Sequence, residues 1–195
     1  MSATPRRARR SHANRGKALE GRLDAMHQTY AAQNRAFIWR SCPPVKVLSA
    51  IRAGGYFSAC FAGQGPADYA GVIAGGRAVV IEAKECSAGR WSLANLHPHQ
   101  AEHLERVHVL GGVAQVVLAY APTRSTWALP WEGLGPRWRR WKRGEAARGE
   151  ASLGPVELVE VGVRLEGVDW LVAISTQLRN RGPACCPLPG QRGNV

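Results

Sequence analysis

Two periods of apolar positions run through the chain. From Asn14 to about Asn34, Leu19, Leu23, Met26 and Tyr30 recur at spacings of three and four, the stripe of an amphipathic helix, with Glu20 beside it near the helix start. Ala36 to Trp39 reads as a strand broken by Pro43-Pro44, and Val45 to Ile51 as a second extended segment. Tyr56 to Phe61 shows no clear period. Gly63-Gln64-Gly65-Pro66 makes a turn before Asp68, and Gly75-Gly76 punctuates the chain before the apolar run Ala78 to Ile81. This predicts a hairpin leading into a central strand.

The second half repeats the alternation of types. Pro98 to Leu110 favours a helix with Leu104 and Val107 on the stripe of Gln100, which is therefore expected to look toward the sheet. Val113 to Tyr120 is an apolar strand between Gly111-Gly112 and Pro122, and Ser125 to Leu129 can pair with it. After Pro130 come a basic run with two tryptophans and a stretch rich in Gly, Ala and charge to Gly154. Strands are then expected at Val156 to Val163 and Asp169 to Ile174. The fold class is α/β, a mixed central sheet flanked by helices.

Composition adds a partner. Lys and Arg outnumber Asp and Glu by 26 to 14, a formal net charge of +12, and such a field attracts polyanions, nucleic acid first among them. Residues 1–13 hold Arg6, Arg7, Arg9 and Arg10 among small residues, a composition with too little apolar surface to order itself, so a flexible basic arm is expected. Residues 14–174 form one domain and residues 175–195 a loose tail rich in Gly and Pro. Five cysteines without a C-x-x-C repeat suggest reduced thiols and no zinc site. With no apolar run long enough to cross a bilayer, a cytoplasmic, nucleoid-associated protein is expected.

Candidate chemistry centres on Asp68, in a turn, and on Glu82-Ala83-Lys84, on the strand that follows. Residues two apart share a strand face, so Glu82 and Lys84 project together while Ile81 and Ala83 face the other way. Carboxylates from Asp68 and Glu82, with the main-chain carbonyl of Ala83, suit Mg²⁺, with Mn²⁺ as the alternative and one or two ions per site. Lys84 would lie beside the attacking water. The E-x-K pattern alone also fits an exposed ion pair on an edge strand, a common and energetically minor arrangement.

The surrounding residues tip the balance. Asp68-Tyr69-Ala70-Gly71, Ile81-Glu82-Ala83-Lys84-Glu85 and Leu96-His97-Pro98-His99-Gln100-Ala101-Glu102-His103 together resemble the RecU-type Holliday junction resolvases of the PD-(D/E)XK nuclease superfamily. Asn14-Arg15-Gly16-Lys17-Ala18-Leu19-Glu20 is similar to the opening helix of the RecU-type and archaeal-type enzymes, so the resemblance spans roughly residues 14 to 130. It implies a restriction-endonuclease-like core in which Asp68 and Glu82 hold metal, Lys84 is the catalytic lysine, Glu20 is the acidic residue of the first helix and Gln100 is the helix-borne site residue. It further implies a homodimer that makes paired nicks in a four-way DNA junction and leaves 5′-phosphate ends.

Two departures stand out: Pro66 lies one step earlier than the superfamily pattern prescribes, with Ala67 before Asp68, and the stalk-like segment 43–64 is short. DNA-backbone contacts are expected from the arm, from Arg15 and Lys17, and from Arg137, Arg139, Arg140, Lys142 and Arg143. Between the arginines, Trp138 and Trp141 suit either base stacking or core packing, with packing favoured. His97, His99, His103 and His108 lack a recognised zinc spacing and are expected to cap and flank the helix. Two alternatives stand beside the resolvase: another nuclease of the superfamily, and a branched-DNA-binding protein without catalysis.

Overall fold

The structure, a computed structural model, describes residues 17–49, 54, 56–147 and 149–174. The expected basic arm, Arg15 and the tail lie outside the described residues. In chain order the elements are α1 (Lys17–Ala32), β1 (Ala36–Arg40), β2 (Val45–Val47), β3 (Ala59–Phe61), β4 (Tyr69–Ile73), β5 (Arg77–Cys86) and β6 (Trp91–Ser92). There follow α2 (Pro98–Val109), β7 (Val113–Tyr120), β8 (Ser125–Pro130), α3 (Trp131–Lys142), β9 (Ser152–Leu153), α4 (Pro155–Val161) and β10 (Val163–Leu165).

Six strands form one sheet in the order β1-β4-β5-β7-β8-β10. The β5–β7 pair is parallel, with α2 as its crossover, and every other neighbour is antiparallel. The sheet is therefore mixed, as the alternation of periods predicts. The β4–β5 hairpin turns at Gly75 and Gly76, whose φ angles of 90° and 81° lie in the left-handed region that glycine adopts without a Cβ clash.

Each sheet face carries its own core. On one, Leu19, Leu23 and Tyr30 of α1 pack with Val79, Ile81, Val117 and residues 168–174. On the other, Leu104 of α2, Trp131 and Leu134 of α3 and Leu158 of α4 pack with Val80, Val116 and Leu118. Burying apolar area on both faces makes β5 and β7 interior strands. The alternation along β5 sends Val79 and Ile81 to the α1 side and Val80, Glu82 and Lys84 to the α2 side. Beyond β1 the chain leaves the sheet as a separate ribbon, β2 paired with β3 (Val45↔Phe61), within the short segment expected to be stalk-like.

Two expected strands are helical. Val156 to Val163 is α4 followed by β10, and residues 170–174 form a helical turn. The backbone N–H of Gly154 donates to Glu157 Oε2 at 2.9 Å and Pro155 opens the helix, a start signal that outweighs the β-propensity of three valines. Val156 and Val159 consequently face solvent. Among the described residues no helix is long and apolar enough to cross a membrane.

Candidate active site at the ends of the central strands

Asp68 is the residue before β4, and Glu82 and Lys84 lie near the end of the antiparallel β5, so the hairpin brings all three together with Tyr69 opposite Ile81. Two reciprocal contacts lock the turn to the strand. Asp68 Oδ2 accepts from the Ala83 backbone N–H at 2.8 Å, and the Asp68 N–H points at Glu82 Oε2 at 3.3 Å. Lys84 Nζ lies 2.7 Å from Glu82 Oε1. That same oxygen accepts from Gln100 Nε2, whose Oε1 accepts in turn from Lys84 Nζ at 3.1 Å and from the His97 N–H at 3.0 Å. One glutamine amide thus bridges acid and base while closing the first turn of α2.

The reading of Glu82 and Lys84 as an edge-strand surface pair does not survive this geometry. β5 is interior and the Glu82 side chain is 1% exposed, against 17% for Lys84. Burial raises the pKa of Glu82 to about 7, with the neighbouring Asp68 charge adding to the effect. Asp68 is likewise pushed upward by burial. Two carboxylates, one buried and one half-buried, share the site with a single ammonium, an arrangement short of one positive charge and costly to keep ionised. The donor atoms are oxygens, the chemistry a hard divalent cation prefers, so the residues fit such an ion.

Glu20 is placed differently. Its Oε2 is ion-paired to Arg40 Nη1 at 2.6 Å, and Arg40 also forks onto Asp24. Its charge is felt at Asp68, where it favours the protonated form, but among the described residues no group of three His, Cys, Asp or Glu is assembled for a metal. Lys17 is exposed in the first turn of α1. Arg137, Arg139, Arg140 and Arg143 pair with Glu160, Glu105, Glu150 and Glu145, and Lys142 is exposed. Trp138 and Trp141 pack against the second core, Trp138 Nε1 donating to the Leu96 carbonyl at 3.2 Å. His97 caps α2 and stacks on His99.

Sequence reasoning named His103 only as flanking the helix and missed its positioning role. His103 Nδ1 accepts from the Ala67 N–H at 3.0 Å, tying the turn that carries Asp68 to α2. Burial lowers its pKa, keeping the ring in the neutral form that can accept. The available signal was spacing, since His103 lies three residues past Gln100 and so shares its helix face.

Residues 14–155 match the model of a protein family described as RecU, Recombination protein U. The chain belongs to the RecU family. A relative named Holliday junction resolvase RecU from Bacillus pumilus (strain SAFR-032) is 32% identical over 157 residues, covering 78% of this chain and 73% of that protein. A relative of the same name from Ligilactobacillus salivarius (strain UCC118) is 27% identical over 185 residues, 87% and 84% of the two chains. Another, from Geobacillus thermodenitrificans (strain NG80-2), is 29% identical over 156 residues, 77% and 75%. The matched span includes every residue of the Asp68, Glu82, Lys84 and Gln100 cluster.

Proposed function

We propose that this RecU-family protein is a divalent-cation-dependent endonuclease of the PD-(D/E)XK superfamily that resolves four-way DNA junctions. The observation that carries the reading is half-buried Asp68 beside buried Glu82, which Gln100 bridges to Lys84, in a chain whose relatives are named Holliday junction resolvase. Asp68 and Glu82, with the main-chain carbonyl of Ala83, would hold Mg²⁺ or Mn²⁺, one or two ions per site. When bound, the ion supplies charge neutralisation at the scissile phosphate and lowers the pKa of water.

The protein's own groups do the rest. Lys84, one side open to solvent, orients the attacking water and offsets negative charge building on the phosphate. Attack on phosphorus breaks the bond to the 3′ oxygen, leaving a 5′-phosphate and a 3′-hydroxyl. Gln100 holds Glu82 and Lys84 at fixed separation so that neither has to reorganise. Glu20, the acidic residue that the resemblance assigns to the site, would have to leave Arg40 to take part. The Arg–Glu pairs on α3 and at its C-terminal end are largely solvent-screened, weak enough for a DNA phosphate to displace the glutamate.

Paired nicks need paired sites, and the outer face of β1 and β4 supports a homodimer. Phe37, Trp39 and Val72 are 66%, 47% and 40% exposed there, an apolar patch of the kind a partner copy covers. Substrate competition tests the function: labelled four-way junction is incubated with Mg²⁺ and excess linear duplex, and the cuts are mapped. Symmetric nicks that persist under competition are expected, whereas equal cutting of junction and duplex would make the protein a general nuclease.

A further inference from the structure

We propose that a cleft lined by Arg22, Arg124 and Arg164, where α1, the turn after β7 and β10 meet, seats backbone phosphates of a DNA arm of the junction. The inference rests on the nuclease reading and extends it to a second contact surface. Topology brings the three arginines together from distant parts of the chain. Because β5 and β7 are parallel, their C-terminal ends emerge side by side, and the turn after β7 ends at Arg124 in the left-handed conformation (φ 51°). β10 runs antiparallel to β8 with Arg164 opposite Trp127, near the start of β8 and so at the same end. The Leu19 N–H donates to Glu85 Oε1 at 3.1 Å, docking the start of α1 there and bringing Arg22 alongside.

The result is a cleft of about 580 Å³ lined by all three arginines with Ser125 and Thr126. An adjoining cleft of about 530 Å³ shares Arg22 and Arg124 and reaches Glu85, which faces the α1 side of β5, opposite to Lys84. Among the described residues, none of the three arginine side chains makes a hydrogen bond or an ion pair. The arginines of α3, in contrast, are matched with glutamates. Two acids line the clefts, Glu166 the first and Glu85, which accepts from the Leu19 N–H, the second. Three arginines against one carboxylate, Glu166, leave the lining of the first cleft net positive, which fits an anion with several oxygens, and a sugar-phosphate backbone offers a row of them. Such contacts fix the position of the duplex and carry no sequence information.

The test uses the full-length protein and a fluorescent four-way junction in EDTA, with affinity measured over a range of KCl concentrations. Each phosphate contact removed makes the slope of log affinity against log salt shallower by roughly 1. Arg124→Gln/Arg164→Gln is expected to flatten the slope by about 2, and Arg22→Gln by about 1, with melting temperatures near the wild type. Arg77→Gln, at the opposite end of β5, is the control matched in charge to Arg22→Gln and keeps the wild-type slope. An unchanged slope in the double variant, or an equal loss in Arg77→Gln, overturns the proposal. Cutting of the same junction by the wild type in Mg²⁺ is scored separately: cutting with an unchanged slope sinks the cleft alone, and a flattened slope without cutting sinks the nuclease reading alone.

Discussion

Gln100 shows most clearly how single residues set this site. Its amide touches Glu82, Lys84 and the His97 N–H, so Gln100→Ala removes a positioning group without removing a ligand or a base. The expected loss in junction-cleavage kcat is about 10–100-fold, with KM little changed and a small drop in melting temperature from the lost cap. A loss confined to KM would assign Gln100 to DNA binding instead. His27 makes a different prediction. Its Nε2 accepts from Trp170 Nε1 at 3.0 Å, and burial pushes its pKa down to about 4 from the ordinary 6.5. The unfolded chain therefore binds a proton that the folded one refuses. His27 should cost the protein up to about 3 kcal/mol of stability as pH falls from 6.5 to 4, and nothing further below that. Denaturant melts at pH 7 and pH 4 check this, and His27→Gln should lose part of the difference.

Elements with a strong period were readable before the fold was known, and those whose ends decide their type were not. Of the α1 stripe, Leu19, Leu23 and Tyr30 are buried as expected while Met26 is half-buried and His27 buried beside it, and the Gly75-Gly76 turn announces the β4–β5 hairpin. Segments 156–163 and 169–174 misled because valine-rich apolar runs fit strand and short buried helix alike. The Gly154-Pro155 start carried the missing information. The acidic and basic residues of E-x-K were readable as a pair, but their burial was not, because it depends on α2 closing over β5. Gly71 ties sequence to sheet assembly: a Cβ there would lie 2.3 Å from the Phe37 carbonyl oxygen and 2.8 Å from Ile38 Cα. Gly71→Ala is therefore expected to push β1 off β4 and destabilise the fold by about 1–3 kcal/mol or more, measurable by urea unfolding. Wild-type stability in that variant would show that β1 is not held at this distance.

At the scale of the molecule, charge density in the sequence and available charge in the structure are different quantities. The Arg137 to Arg143 run is conspicuous along the chain, yet four of its cations already face Glu105, Glu145, Glu150 or Glu160. Arg22, Arg124 and Arg164 stand far apart in sequence and converge only through sheet topology. The same topology puts Asp68, Glu82 and Lys84 at one end of the sheet and leaves Phe37, Trp39 and Val72 exposed on β1 and β4. The most direct test of the whole account is cleavage of a labelled four-way junction, in Mg²⁺ and in EDTA, by the wild type, Asp68→Asn and Glu82→Gln, with junction binding measured in parallel. Cutting by the wild type in Mg²⁺ only, absent from both variants while binding persists, is the predicted result. Cutting that survives in EDTA or in either variant would contradict the assignment of the Asp68–Glu82 pair as the metal-dependent catalytic centre.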